Sequence, residues 1–266
     1  MILRHTTAPG YIPSRIVSLV PSQTELLHYL GLHEETIGIT KFCIHPKDWC
    51  QTKTKVGGTK TIKMDLVHKL QPDLIIANKE ENVKEQVEEL ARHYPVWVTD
   101  VNNLEEALQM ITDIGQLTGK QTAAVSLIHS IKEKFNGLTQ LQTLNQKLRT
   151  AYLIWQNPCM TVGGDTFIHD ILTRCGFNNV FHDQTRYPET TIIELQSANL
   201  NLLLLSSEPY PFKQQHLDEF SAQLPGCKVL LVDGEYFSWY GSRLLQAPEY
   251  FMNLWKEYTG TESCKT

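Results

Sequence analysis

The segment RIVSLVPSQTELLHYLG, residues 15–31, has the pattern of a strand, a loop and a helix. Its apolar run over 16–20 is of the kind found in buried strands. Ser22, with Glu25 three residues later, has the spacing of a capping box at a helix start, and Gly31 is a common helix end. We therefore predict a strand over 16–20 and a helix that begins at Ser22.

The same alternation continues through the first half of the chain. Apolar runs predict strands over 36–40, 74–77 and 96–99. Between and after them, helical periodicity predicts a short helix capped by Asp65 and further helices over 83–91 and 104–114. Strands that alternate with helices favour a mostly parallel sheet with helices on both faces.

A long apolar stripe separates this half from the next. From Lys120 it continues to Leu141, which predicts a helix of about 25 residues and roughly 40 Å. The alternation then restarts, with strands predicted over 151–155, 202–206 and 228–232 and helices over 213–224 and 248–258. The predicted fold is α/β: two doubly wound lobes with mostly parallel sheets, 1–119 and 150–266, bridged by one long backbone helix over 120–149.

Composition excludes several classes of protein. The chain has 266 residues, of which 41% are hydrophobic and 20% charged, as in ordinary globular proteins. Its net charge of −5 offers no basic face for a nucleic acid, and no apolar run approaches the roughly 18 residues of a membrane span. Without a recognisable secretory signal, the sequence as written predicts a cytoplasmic protein, or a periplasmic one if the natural start lies elsewhere. The six scattered cysteines predict free thiols.

Ligands of open α/β sheets bind at the carboxyl ends of the strands. Among the predicted strand ends, the segment YFSWYGSR, residues 236–243, is unusually bulky. Its Trp239 and Tyr240 either fill the core or form half-exposed walls of a site, and Arg243 would suit a flat, partly anionic ligand. Two glycine pairs, in VGGTK (56–60) and TVGGDT (161–166), mark either tight turns or backbone approached by a ligand.

Cys43 and His45 lie two residues apart in FCIHP, so a metal pair is conceivable, although ordinary packing is the commoner explanation. The motif-bearing loops contain no nucleophile–base pair and no acid pair. This absence argues against an enzyme.

Together, RIVSLVPSQTELLHYLGLHEETIGIT, KFCIHP, VGGTKTIKMDLVHKLQPDLIIA and SRLLQAPEYF resemble the substrate-binding proteins of cobalamin and ferric-siderophore ABC importers. The segment YLIWQNPCMTVGGDTFIHDILTRCG makes the cobalamin-binding branch the nearest. The resemblance implies two lobes joined by a rigid helix, with a metal chelate held between them by aromatic and Arg side chains. It implies no intrinsic cofactor and no bare metal.

The implied function is therefore that of an ABC-importer substrate-binding protein, with a corrinoid as the favoured ligand and a ferric siderophore or haem next. The alternative is a cytoplasmic enzyme or cofactor-handling protein on the same scaffold. The expected ligand-binding residues are Pro21, Ser22, Phe42, Asn78, Lys79, Trp155, Asp165, Trp239, Tyr240, Ser242 and Arg243. Docking to an importer permease is expected to use acidic side chains, namely Glu80, Glu81 and Glu85 in the first lobe and Glu208 in the second.

Overall fold

The computed structural model describes residues 2–3, 10–138 and 148–260. The chain divides into two compact units. The first comprises the chain up to Val101 together with Glu105–Ser130 and Trp239–Arg243. The second comprises Asn102–Leu104, Ile131–Ser238 and the chain from Leu244 onward. A pentapeptide from late in the sequence therefore belongs to the first unit.

The first unit is built on a six-stranded sheet in which all neighbouring strands are parallel, in the order β1-β6-β5-β2-β3-β4. Its strands are β1 (Ile2–Leu3), β2 (Ile16–Ser18), β3 (Thr36–Ile39), β4 (Thr54–Lys55), β5 (Leu74–Asn78) and β6 (Val96–Thr99). All residues of β2 and β5 are buried. Such continuous burial is expected of parallel strands covered by helices on both faces.

Six helices follow or separate these strands: α1 (Pro21–Tyr29), α2 (Lys47–Thr52), α3 (Met64–Leu70), α4 (Lys84–His93), α5 (Leu104–Leu117) and α6 (Gln121–Asn136). Residues of α5 and α6 are shared between the two units. The core between the sheet and its helices is aliphatic, with Val17, Ile75 and Leu90 all fully buried.

The second unit has a four-stranded parallel sheet in the order β10-β9-β7-β8. Its strands are β7 (Leu148–Leu153), β8 (Phe177–Asn179), β9 (Leu202–Ser206) and β10 (Lys228–Val232). Its helices are α7 (Phe167–Arg174), α8 (Ile192–Ser197), α9 (Gln214–Gln223), α10 (Glu235–Ser238) and α11 (Ala247–Thr259), and a 3₁₀-helix over Ser242–Leu245 precedes α11. Leu203 and Leu205 of β9 lie in the centre of its core. The predicted fold class, two α/β units with parallel sheets, is confirmed.

The predicted backbone helix is shorter than expected. Helix α6 ends at Asn136 after 16 residues, about 24 Å at the α-helical rise. Gly137 follows, and glycine is a poor helix former that commonly ends helices. The apolar stripe continues past this stop to Leu138, which lies beyond the helix, and to Leu141, which lies outside the described residues. Strand β7 already begins at Leu148, within the range assigned to the helix.

Two predicted helix caps are wrong. Helix α1 begins at Pro21, with Val20 as N-cap and no side-chain capping bond, so Ser22 lies inside the first turn. Proline suits this position because its missing N–H would have no partner inside the helix. Helix α3 begins at Met64 with Lys63 as N-cap, which puts Asp65 inside its first turn as well.

Candidate functional site

Several predicted ligand residues lie at the carboxyl ends of neighbouring strands in the first unit. Ser22 follows β2, Phe42 follows β3, and Lys79 follows β5. Because β3, β2 and β5 are adjacent and parallel, these residues lie at one edge of the sheet. Phe42 is 51% exposed and carries the Lys41 ammonium group 5.0 Å from its ring centre. Lys79 is exposed and pairs with Asp100 at 2.5 Å. This edge therefore presents an aromatic ring and cationic groups.

Asn78 ends β5, and its side chain is engaged within the unit. Its amide nitrogen donates to the backbone oxygen of Thr99 at 3.2 Å. Its carbonyl oxygen accepts from the N–H groups of Glu80 and Glu81 at 2.8 and 3.1 Å. Asn78 is only 2% exposed. Its observed role is to shape the turn that carries Lys79 and the acidic residues after it.

The pentapeptide Trp239–Arg243 packs on the first turns of α1. A Cβ atom at Gly241 would lie 3.2 Å from the backbone oxygen of Ser22 and 3.3 Å from Cβ of Leu26. Gly241 has a φ of 149°, in the range that favours glycine. A larger residue would be strained at this φ, and its Cβ atom would press on the helix.

The two rings of the pentapeptide are buried. The sequence left open whether they fill the core or form half-exposed walls of a binding site. Trp239 is 6% exposed and Tyr240 is 5% exposed. The Trp239 ring lies edge-on to the ring of His45 at 5.7 Å between centroids. The Arg243 guanidinium group lies 5.0 Å from the Trp239 ring centre, within cation–π range. The segment is also structured, because α10 precedes it and the 3₁₀-helix contains Ser242 and Arg243.

Arg243 forms a two-point ion pair with Glu25 of α1. Its Nη2 lies 2.8 Å from Oε1 and its Nε lies 3.2 Å from Oε2. The side chains are 10% and 22% exposed, so the pair is largely shielded from water. Sequence reasoning placed Glu25 in a capping box and missed this contact. Both carboxylate oxygens instead face a guanidinium group from the far end of the sequence.

Cys43 and His45 do not form a metal pair in the structure. Cys43 is fully buried, and its Sγ lies 3.1 Å from Oγ1 of Thr24 and 3.2 Å from Oγ1 of Thr40. Burial raises the pKa of the Cys43 thiol, which favours the neutral form over the thiolate that binds metals. Across 10–138 and 148–260, no group of three or more His, Cys, Asp or Glu side chains could hold a metal ion.

The two glycine pairs are explained by backbone packing inside each unit. A Cβ atom at Gly57 would lie 2.3 Å from the backbone oxygen of Thr61. A Cβ atom at Gly164 would lie 2.0 Å from the backbone oxygen of His182. Any larger residue would push these segments apart. A tight turn therefore accounts for Gly57, and close approach of a distant backbone segment accounts for Gly164.

Trp155 lies just beyond the end of β7 in the second unit and is 38% exposed. Its Nε1 donates to the backbone oxygen of Asn157 at 3.1 Å, and its ring lies edge-on to Tyr210 at 5.5 Å. Tyr210 packs in turn on Phe212 at 4.8 Å. Tyr210 was missed by sequence reasoning, although it follows the carboxyl end of β9 by four residues. A partly exposed aromatic surface results.

The predicted acidic residues have varied surroundings. Asp165 accepts a hydrogen bond from the Arg186 N–H at 2.5 Å, with its side chain 43% exposed. Glu208 is half-buried and accepts from the Ser238 hydroxyl at 2.6 Å. Of the expected docking residues in the first unit, Glu85 is exposed, and Glu80 and Glu81 are half-buried.

None of the helices in the described ranges has both the length and the apolar character needed to cross a membrane.

Comparison with known proteins gives consistent results. The chain is 25% identical to a vitamin B12-binding protein of Vibrio parahaemolyticus over 194 residues, covering 72% of this chain and 70% of the relative. Its fold matches the periplasmic vitamin B12 binding protein BtuF of Vibrio cholerae with a TM-score of 0.78 and 19% identity, covering 93% and 98% of the two chains. It also matches the periplasmic heme binding protein HutB of Vibrio cholerae with a TM-score of 0.77 and 19% identity, covering 91% and 98%.

The family model described as "Periplasmic binding protein" matches residues 16–223, which span β2 to α9 and so include strands of both sheets. The chain therefore belongs to the periplasmic binding protein family.

Proposed function

We propose that this chain is the substrate-binding protein of an ABC-type importer and that its ligand is a corrinoid. The observation that carries the proposal is the similarity to vitamin B12-binding proteins, at 25% identity over 72% of the chain, within a family of binding proteins. A second relative of that description, from Yersinia pestis, is 22% identical over 94% of the chain. The same family membership favours transport over the enzyme alternative.

In the first unit, we propose Phe42 and Lys79 as direct contacts. Phe42 offers an exposed ring beside the Lys41 ammonium group, and Lys79 offers a second cation at the same sheet edge. A corrinoid has a broad apolar ring face and an amide-rich rim, so aromatic area and hydrogen-bond donors both suit it. Pro21, Ser22, Trp239, Tyr240, Ser242 and Arg243 form the neighbouring packed layer of the same unit.

Because that layer is buried, we propose that its residues shape the chelate site as much as they contact the chelate. Pro21 and Ser22 begin α1, and Gly241 packs on Ser22. Asn78 is assigned to positioning, because its amide nitrogen binds Thr99 at the end of β6 and its carbonyl oxygen binds the turn after β5.

In the second unit, we propose Trp155 as the principal contact and Asp165 as a polar one. Trp155 combines an accessible indole face with a ring orientation held by Asn157 and Tyr210. Asp165 keeps about two-fifths of its side chain accessible while it binds Arg186. Tyr210 supports the Trp155 ring and joins the proposed set.

We propose that importer docking uses Glu85 and Glu208, with Glu80 and Glu81 nearby. Glu85 is exposed in the first turn of α4, and Glu208 follows β9 in the second unit. Charge reversal at Glu208 should weaken binding to the permease and leave chelate affinity unchanged. A pull-down with the cognate permease in detergent, with chelate titration alongside, tests this. Loss of chelate affinity would refute the docking role of Glu208.

The proposed compartment is the periplasm, because this is the compartment that the family description and the related structures name.

The choice among chelates is tested by isothermal titration with cyanocobalamin, dicyanocobinamide, hemin and a ferric hydroxamate siderophore, each added separately to the purified chain. We expect saturable binding of cyanocobalamin at one equivalent, with weaker binding of hemin and the siderophore. Preferential binding of hemin would mean that the ligand is haem instead of a corrinoid, with the transport role unchanged. Binding of none of the four would refute the proposal.

A further inference from the structure

We infer that Glu25 is a positioning residue: through its ion pair with Arg243 it holds the segment Trp239–Arg243 on α1 and thereby fixes the Trp239 ring. The link to ligand binding rests on the proposed function, in which Trp239 belongs to the layer that shapes the chelate site. The structural part of the inference does not depend on any ligand.

The geometry of the pair supports a fastening role. A guanidinium group that meets a carboxylate through two parallel N–H···O contacts is directional as well as charge-assisted. Here the two distances are 2.8 and 3.2 Å. With Arg243 10% exposed and Glu25 22% exposed, solvent screens the pair less than it screens a surface pair. The pair therefore defines both the place and the orientation of the Arg243 side chain.

Arg243 in turn contacts the Trp239 ring, which packs against the ring of His45. The guanidinium group lies over the Trp239 ring at 5.0 Å, and the His45 ring lies edge-on to the same indole ring at 5.7 Å between centroids. His45 belongs to the segment after β3 that also carries the exposed Phe42. A displaced Arg243 would remove one of the neighbours that hold the indole ring.

The remaining side chains of the segment contribute differently. Gly241 touches α1 only through close packing, at 3.2 Å from the Ser22 oxygen for a built Cβ. The hydroxyl groups of Ser22 and Ser242 are buried and make no hydrogen bond in the described structure. Neither serine hydroxyl therefore ties the segment to the helix, whereas the Glu25 carboxylate does so through Arg243.

The test compares Glu25→Gln with Glu89→Gln. Glu89 also pairs with an arginine of the first unit, Arg92, but that pair is exposed at 42% and 72%. In ¹⁵N-labelled protein without ligand, the indole N–H resonance of Trp239 is assigned through its loss in Trp239→Phe. We expect this resonance to move in Glu25→Gln and to stay in place in Glu89→Gln. An unmoved resonance in Glu25→Gln overturns the inference.

If Glu25→Gln fails to fold, the double variant Glu25→Met/Arg243→Met replaces it. This variant removes the pair without leaving a buried charge, which is often tolerated. The displaced Trp239 resonance is then expected in the double variant, and an unmoved one overturns the inference equally.

Titration with cyanocobalamin supplies the second readout. We expect Glu25→Gln to weaken binding at least tenfold and Glu89→Gln to leave it within twofold. Failure of the parent protein to bind any chelate, with the resonance shift present, would refute the proposed function and leave the positioning role intact. Unchanged affinity in Glu25→Gln, despite a shifted resonance, would overturn the link between positioning and binding.

Discussion

Arg243 and Glu25 are 218 residues apart in the sequence and form a two-point ion pair on α1, with atoms 2.8 and 3.2 Å apart. The pair ties a pentapeptide from the end of the second half of the chain to the first helix. An arginine that sequence reasoning assigned to the ligand therefore also has a structural partner.

Arg243→Lys should reduce stability although it conserves charge. Lysine cannot present two parallel N–H donors, so one charge-assisted contact is lost, at a cost of about 1.5–3 kcal/mol. Urea unfolding followed by circular dichroism measures the change. The control is Arg92→Lys, whose exposed pair with Glu89 should matter by less than about 1 kcal/mol. Equal losses of stability at the two positions would mean that the two-point contact of Arg243 contributes no more than an exposed ion pair.

Trp239→Ala should lower both stability and affinity. The indole ring is 6% exposed, so its loss leaves a cavity that typically costs about 3–5 kcal/mol. If Trp239 also shapes the chelate site, cyanocobalamin should bind at least tenfold more weakly to the folded fraction. Parallel denaturation and titration at low temperature separate the two effects. Reduced stability with unchanged affinity would make Trp239 a core residue alone.

Trp155→Ala should affect binding far more than stability. Its ring is 38% exposed, and truncation of a well-placed aromatic contact costs about 2 kcal/mol or more, roughly thirtyfold in affinity. The melting temperature should change less than in Trp239→Ala, because Trp155 is 38% exposed and Trp239 is 6% exposed. Ile193→Ala, at a 70% exposed apolar position of the same unit, is the matched control. Affinity equal to that of the control would remove Trp155 from the site.

Gly164→Ala should destabilise the second unit severely. The added methyl group would lie 2.0 Å from the backbone oxygen of His182, so the chain after β8 must move. Gly10→Ala, where nothing lies within 4 Å, is the control and should be nearly neutral. The comparison uses thermal unfolding. Equal melting temperatures for the two variants would contradict the close approach of the Gly164 backbone to the backbone oxygen of His182.

The free energy of unfolding should decrease as the pH drops below neutral, because His169 resists protonation in the folded protein. Burial lowers the pKa of His169, and nearby His182 lowers it further, against the opposing effects of Asp170 and Asp165. Its Nδ1 also accepts from the Asn179 amide nitrogen at 3.3 Å, which requires the neutral ring. The unfolded chain therefore takes up a proton before the folded one, and stability is lost as pH falls below about 6.5.

His169→Gln should flatten this dependence between pH 7.5 and 5.5 in urea unfolding experiments. His129→Gln, at an exposed position of α6, serves as the control and should keep the parent's slope. An unaltered slope in His169→Gln would show that other groups cause the loss.

Much of the fold is predictable because buried parallel strands are continuous apolar runs. The predicted strands over 96–99, 202–206 and 228–232 coincide with β6, β9 and β10. By contrast, β4 has two residues and β8 reads Phe-Asn-Asn, so neither shows such a run. Helix α6 was extended too far because apolar spacing continues past Gly137, and spacing does not report where backbone hydrogen bonding stops.

The placement of the candidate residues was predictable where it depends on strand ends and not where it depends on distant partners. Phe42 and Trp155 follow β3 and β7 and are exposed, as that rule suggests. The spacing of Glu25 from Ser22 suggested a capping box, and nothing near Glu25 in the sequence pointed to Arg243. Trp239 is likewise buried among partners that are distant in the sequence, such as His45.

Equilibrium dialysis of the purified chain against cyanocobalamin tests the central claim most directly, because the corrin absorbs visible light and bound ligand can be counted from its spectrum. We predict that the parent protein retains one cobalamin per chain at saturation and that Trp155→Ala retains much less at the same free concentration. If the parent retained no cobalamin above a buffer control, the corrinoid assignment would be contradicted.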